Sequence, residues 1–280
     1  MKKLFLSLFL VCLSSQVAFA HQPVLVFENE VQVSDPEVSK AYYSELQGEP
    51  QVYRIVSNES FELYANILVP DLEDQRQDFV VIVREKFGDN PPVVYMDGSK
   101  FEWTRFFEVF GRDWYFKGPE FRTNLEPGEY ELIVSNDGFQ GKYALAVGEK
   151  EVFGVKEIFG TLKVLPKLKR DFFEVSPAGL LLSPFGAGYV IFTFVLAWIF
   201  GFLYRVILRR MAKSKVRRAH KNIGTMDRLF RFVLAVLFFV VAVLTSWNPV
   251  LLFISGFCLF EAVFSWCGLN AALGKSTCPL

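Results

Sequence analysis

From Val24 to Val147 apolar and polar residues alternate in short runs broken by turn residues, and from Phe185 onward the pattern changes to long unbroken apolar stretches. Phe61, Leu63, Ala65, Ile67 and Val69 take every second place against Glu62, Tyr64, Asn66 and Leu68, the period of a strand with one face in a core. The same reading predicts strands at 52–56, 79–83, 93–96, 106–110, 114–117, 130–135 and 143–147, with Asn136-Asp137-Gly138 as the turn between the last two. Short strands at close spacing without a helical period predict an all-β, antiparallel sandwich or jelly roll over residues 21–153.

The run Phe185 to Tyr204, FGAGYVIFTFVLAWIFGFLY, is uncharged and matches the roughly 30 Å hydrocarbon core of a bilayer, so residues 179–208 are expected to hold a transmembrane helix. Two more apolar runs, 232–247 and 250–266, are joined only by Asn248 and Pro249. So short a joint, with a proline suited to a helix's first turn, predicts an antiparallel helical hairpin with spans at 229–247 and 249–267. The fold class expected is therefore an all-β sandwich followed by three transmembrane α-helices.

Between the halves, Val155, Ile158, Phe159 and Leu162 fall on one helical face ahead of Pro166, while Lys156, Lys163, Lys167, Lys169 and Arg170 are basic. Residues 154–178 thus read as an amphipathic segment on the membrane boundary or, equally well, as a plain tether.

Charge gives this division a direction. Residues 21–177 carry 28 Asp and Glu against 17 Lys and Arg, and residues 178–280 carry 11 Lys and Arg against Asp227 and Glu261 alone. The acidic half offers no basic surface for nucleic acid. Residues 1–20 combine Lys2 and Lys3, an apolar LFLSLFLVCL run and Ala18-Phe19-Ala20, the make-up of a signal peptide that would leave His21 as the mature terminus. The loop 209–228 holds Arg209, Arg210, Lys213, Lys215, Arg217, Arg218 and Lys221, which the positive-inside rule places in the cytoplasm. Both signals predict a multi-pass protein of the cell inner membrane with a periplasmic sandwich and a cytoplasmic tail, 268–280.

Candidate chemistry is sparse. The exported half has no cysteine after cleavage, no histidine beyond His21, and neither a G-x-S-x-G elbow nor an H-E-x-x-H motif, so no catalytic residue or cofactor is assigned. His21, as a terminal residue, is a candidate copper ligand, against which stands the need for several converging ligands. Asp71, Glu73, Asp74 and Asp78 would supply oxygens to calcium but lack the EF-hand spacing, so a solvated acidic loop is favoured. Trp103, Phe106, Phe107, Phe110, Trp114, Tyr115 and Phe116 suit either a core or a groove for sugars or apolar ligands, with the core favoured.

In the membrane half Glu261 is the one acid within the three predicted spans, and Cys258 and Ser265 share its helical face. Counted from the turn, Arg231 lies only about 6 Å deeper at 1.5 Å rise per residue, so a Glu261 to Arg231 pair is expected as a pin between helices. A proton or ion path is the sharper alternative.

The stretch Lys221-Asn222-Ile223-Gly224-Thr225-Met226-Asp227-Arg228-Leu229-Phe230-Arg231, the hairpin, and the closing Cys267 to Cys278 resemble the YgaP-like transmembrane domain family. The sequence departs from its pattern at Gly268, where the family usually has proline, and at Ala271, where it has an aromatic. In that family's best-known architecture the hairpin follows a cytoplasmic rhodanese, which this chain lacks. The resemblance therefore implies sulfur handling only through Cys267 and Cys278, as persulfide or disulfide exchange by a thiolate. Set against this is a purely structural closure of the hairpin by small residues. Residues 125–148 also resemble the last hairpin of pre-peptidase carboxy-terminal β-sandwiches, which implies an accessory or binding module. The functions carried forward are a non-enzymatic envelope protein, whose sandwich binds a protein or glycan and whose helices sit in the bilayer and support a homo-oligomer, and, as the alternative, a thiol or sulfur carrier.

Overall fold

The structure is a computed structural model that describes residues 21–87, 91–152, 154–211 and 221–278. The expected signal peptide, 1–20, and 212–220 of the basic loop, with His220, lie outside the described residues. Its strands are β1 (Gln22–Leu25), β2 (Glu30–Val33), β3 (Lys40–Gln47), β4 (Gln51–Ser57), β5 (Phe61–Pro70), β6 (Val80–Glu85), β7 (Val94–Asp97), β8 (Thr104–Glu108), β9 (Asp113–Leu125), β10 (Gly128–Ser135) and β11 (Gln140–Val147). They form a six-stranded sheet ordered β1-β3-β11-β5-β9-β8 and a five-stranded sheet ordered β2-β4-β10-β6-β7.

Alternation decides what fills the core. Leu63, Ala65, Ile67 and Val69 of β5 are fully buried while Glu62 is exposed, as are Tyr53 and Ile55 of β4 and Leu132 and Val134 of β10 on the other sheet. Buried polar side chains of the sandwich find partners within it. Tyr143 Oη donates to Gln51 Oε1 at 2.8 Å and lies 3.0 Å from Tyr53 Oη, which ties the sheets together. Asn66, buried on the other face of β5 from Ala65 and Ile67, donates to the carbonyls of Gly118 and Pro119 at 3.1 Å each.

The sandwich is not wholly antiparallel. β1 runs parallel to β3 and β2 parallel to β4. A parallel return needs a crossover, and here each is made through a strand of the opposite sheet, since β1 to β4 alternate between sheets. These first three strands escape a search for alternation because Lys40, Ser44, Glu45 and Gln47 make β3 look polar, although Ala41, Tyr42 and Leu46 are buried.

The chain divides into two compact units, and the second takes Pro70–Gln75 and Arg105–Phe116, at the ends of β5, β8 and β9, together with Val155–Leu280. Its helices are α1 (Val155–Lys167), α2 (Pro184–Arg210), α3 (Thr225–Leu244), α4 (Pro249–Phe264) and α5 (Gly268–Leu273), with a π turn at Leu168–Phe172 and a 3-10 turn at Pro177–Leu182. Helix starts follow capping chemistry. Ser183 Oγ accepts from Gly186 N at 2.9 Å with Pro184 in the first turn, and Asn248 Oδ1 accepts from Val250 N at 2.8 Å with Pro249 likewise.

Among the described residues one helix, α2, is long and apolar enough to cross a membrane by itself. α4 is apolar apart from Ser255 and Glu261 but 16 residues long, and α3 carries Asp227, Arg228 and Arg231 near its start. Small residues bring the helices close. A Cβ on Gly201 of α2 would meet the Phe260 ring at 2.6 Å, and one on Gly256 of α4 would meet Ala197 and Phe194 at 3.2 Å. Ser255 Oγ donates to Ala235 O at 2.8 Å, joining α4 to α3. Ile191, Phe192, Val195 and Ile199 of α2 and Leu229, Val233, Val236 and Leu237 of α3 point outward, an arrangement suited to lipid rather than water.

Candidate functional site

The polar residues that flank the hairpin converge at its open end. α4 stops at Ser265, whose φ of 53° is left-handed, and the chain turns so that Cys267 caps α5. Opposite lies the segment before α3. The Asn222 side chain, fully buried, accepts from Cys267 N at 2.7 Å and donates to Cys267 O at 2.9 Å, holding that peptide as a neighbouring strand would. The Asn222 backbone donates to Ser265 O at 3.0 Å and accepts from Thr277 N at 3.2 Å. Thr277 Oγ1 accepts from Gly224 N at 3.1 Å and donates to the Asp227 carboxylate. Arg228 Nε donates to Ala262 O at 3.0 Å.

One turn further along, Arg231 Nη1 donates to Glu261 Oε2 at 2.5 Å, and Glu261 Oε1 accepts from Gly268 N at 2.9 Å. Both oxygens of a buried carboxylate are thereby used, one for a cation on α3 and one for the first residue of α5. Cys258 and Ser265 are also buried. Gly268 is there for space, since a Cβ would run into the Tyr204 ring.

Of the thiol candidates, Cys267 is fully buried and its Sγ accepts from Asn270 N at 3.3 Å, while Cys278 is half-buried. All three described cysteines are free thiols. Asn222 ties the segments of Cys267 and Cys278 to one point, but a nucleophile must be reached, and Cys267 has no exposed surface. From the sequence, Asn222 and Thr277 carry no role beyond the family resemblance, and Ser255 is not singled out. Their one local signal is a polar residue beside an apolar run.

In the sandwich, His21 Nδ1 lies 2.6 Å from Ser39 Oγ, and burial pushes its imidazole below the usual histidine range against the pull of Glu149. The acidic loop is divided between partners: Asp71 pairs with Arg105 at 2.6 Å, and Asp78 pairs with Arg76. Among the described residues no group of three or more His, Cys, Asp or Glu is placed to hold a metal ion. The aromatic set separates. Trp103 turns its ring onto Gly118 and donates to Gly98 O at 2.8 Å, and Tyr115 is buried, whereas Phe106 and Trp114 are exposed.

The basic juxtamembrane segment holds one surprise. Lys169 does not face solvent: its side chain is 3% exposed, and Nζ donates to Asp113 Oδ1 at 2.6 Å and to Arg112 O at 3.1 Å. Burial pushes the Asp113 carboxyl up to about 6, with Glu108 adding to the rise and Lys169 working against it. Burial likewise raises Glu108, whose carboxylate accepts from Phe110 N at 2.7 Å and Gly111 N at 2.6 Å.

Residues 219–280, which hold the hairpin and the polar contacts at its open end, match the family described as inner membrane protein YgaP-like, transmembrane domain. No curated protein matches the chain. Among solved structures, the pre-peptidase C-terminal domain of collagenase from Bacillus anthracis is similar at 13% identity, with 45% of this chain and 94% of that one covered and a TM-score of 0.26.

Proposed function

We propose that this is a multi-pass inner-membrane protein in which α2 and the α3–α4 hairpin cross the bilayer, and a periplasmic sandwich binds a protein or glycan partner. The observation that carries the anchoring role is the use of the hairpin's polar residues. Asn222, Asp227, Arg228, Arg231, Glu261 and Thr277 each bond to another part of the same domain, which closes the hairpin rather than lining a path. Glu261 is thus read as a structural pin and not as a proton relay. Support for a binding sandwich comes from aromatics exposed on it: Phe27 at 88%, Phe87 at 70% and Tyr95, on the edge strand β7, at 60%.

The test uses the full chain in its native envelope, with photocrosslinking groups at Phe27, Phe87 and Tyr95 and, as a control, at the lipid-facing Phe192. Recovery of one defined protein or glycan from the sandwich positions supports the reading, and crosslinks no richer than the control overturn it. The thiol-carrier alternative requires a reachable Cys267. It is tested by Cys267→Ser and Cys278→Ser variants, whose unchanged sulfur metabolism would leave anchoring alone.

A further inference from the structure

We propose that the tip of the β8–β9 hairpin, within residues 105–116, is a membrane-interface anchor that seats Val109 and Trp114 among lipid headgroups and presents Arg112 to their phosphates. The inference rests on the reading that α2 crosses the bilayer.

The tip is built to hold a shape. Glu108 accepts from two backbone amides of the turn, and Arg112 takes a left-handed φ of 59°, so the residues between the strands are fixed by hydrogen bonds and not by packing alone. From there β9 alternates: Asp113 and Tyr115 are buried, and Trp114 between them points outward. Val109 and Trp114 are 53% and 44% exposed, and the Phe107 ring lies beside Trp114 with centroids 4.8 Å apart, a large apolar area to leave in water at so short a tip.

The inward residues show where the tip is fastened. Asp113 and the Arg112 carbonyl hold Lys169, and the Tyr115 ring stands edge-on to Phe173 with centroids 5.1 Å apart. Lys169 and Phe173 belong to the segment that leads into α2 at Pro184. The next turn, Pro177–Leu182, docks on the closed end of the hairpin, where Trp247 Nε1 donates to Pro177 O at 3.1 Å and Leu180 packs with Val243 and Leu252. A buried ion pair therefore fixes the tip to the segment that joins the start of α2 and the α3–α4 turn, the end of the bundle that reaches one water boundary of the bilayer.

The side chains fit that boundary. Tryptophan and arginine suit the membrane interface, where an apolar ring with a polar N–H and a charged group are both satisfied. Arg112 is exposed at the turn, 5.7 Å from the Phe107 ring, and an exposed guanidinium suits bidentate phosphate contact. Stacking of a sugar on Trp114 is disfavoured, because Arg105 already lies 4.1 Å above that ring and is held there by Asp71.

Trp114 makes the inference measurable. The full-length protein is placed in phosphatidylethanolamine–phosphatidylglycerol nanodiscs whose lipids are brominated either near the carbonyl end or near the terminal methyl. Trp114→Phe, at an exposed site, is expected to remove a fluorescence component quenched more by the shallow bromines than by the deep ones. Trp198→Phe, midway along α2, is expected to remove a component quenched by the deep bromines. If the Trp114 component is unquenched while that of Trp198 is quenched, the interface anchor is overturned and the membrane reading stands. If neither is quenched, both fall.

Discussion

The 2.5 Å contact between Arg231 Nη1 and Glu261 Oε2 joins the first turns of α3 to the end of α4, and the other Glu261 oxygen fixes the start of α5. One carboxylate thus joins three elements that only meet once the hairpin has closed.

Removing one partner of such a pair leaves an uncompensated charge in an apolar setting. Arg231→Met is expected to destabilise the membrane domain by about 3–5 kcal/mol. Glu261→Gln, which keeps an acceptor for Gly268 N, should cost less than Glu261→Ala. Denaturant unfolding in mild detergent ranks the three, and proton flux across vesicles is expected to be the same for Glu261→Gln as for the wild type.

Burial predicts an order of thiol reactivity. In the folded protein Cys278 should react with a maleimide well before Cys267, which has no exposed surface. Asn222→Ala removes both side-chain bonds to the Cys267 peptide and leaves two buried backbone groups unsatisfied, at about 1–3 kcal/mol each. Labelling of Cys267 should accelerate in that variant, as mass spectrometry of timed samples would show.

Asp113 and Lys169 predict a pH dependence. The folded carboxyl titrates at about 6 against 3.8 for an ordinary aspartate, so the folded state holds its proton more tightly. This group's contribution to stability is fully present below about pH 4 and is lost as pH rises through 6. Asp113→Asn should flatten that slope but leaves Lys169 buried without an anion, at about 3–5 kcal/mol near neutrality. Lys169→Met should cost about 3–5 kcal/mol at pH 7 and much less at pH 5, where a protonated Asp113 needs no cation. Thermal unfolding across this range distinguishes the two variants.

Gly201 and Phe260 should be coupled. Gly201→Val forces a side chain into the Phe260 ring and is expected to cost about 1–3 kcal/mol. Phe260→Ala is expected to cost about 3–5 kcal/mol, and the double variant less than the sum, because each change relieves the other. Unfolding of the four proteins in detergent measures the coupling.

The strands from β4 onward, the apolar helices and the turn at Asn248 and Pro249 could be read before any coordinates. Each rests on local periodicity, on capping or on run length, which neighbours in the chain decide among themselves. The Glu261 to Arg231 pairing was approachable too, because a two-residue turn fixes the depth of both helices from one point. The role of Asn222 was not, since an asparagine outside a helix has many local uses and its grip on Cys267 appears only when the hairpin closes.

The sequence by itself determined where the chain alternates, where it is apolar long enough for lipid, and which polar residues cannot sit idle. Only the tertiary structure decided that β1 and β2 pair parallel, that Lys169 is buried on Asp113, and that Trp114 faces outward while Tyr115 faces in. The reason is common to all three. Periodicity assigns a side chain to one face of its own element. Which distant element covers that face is settled by long-range packing and by the cost of leaving a buried charge without a partner.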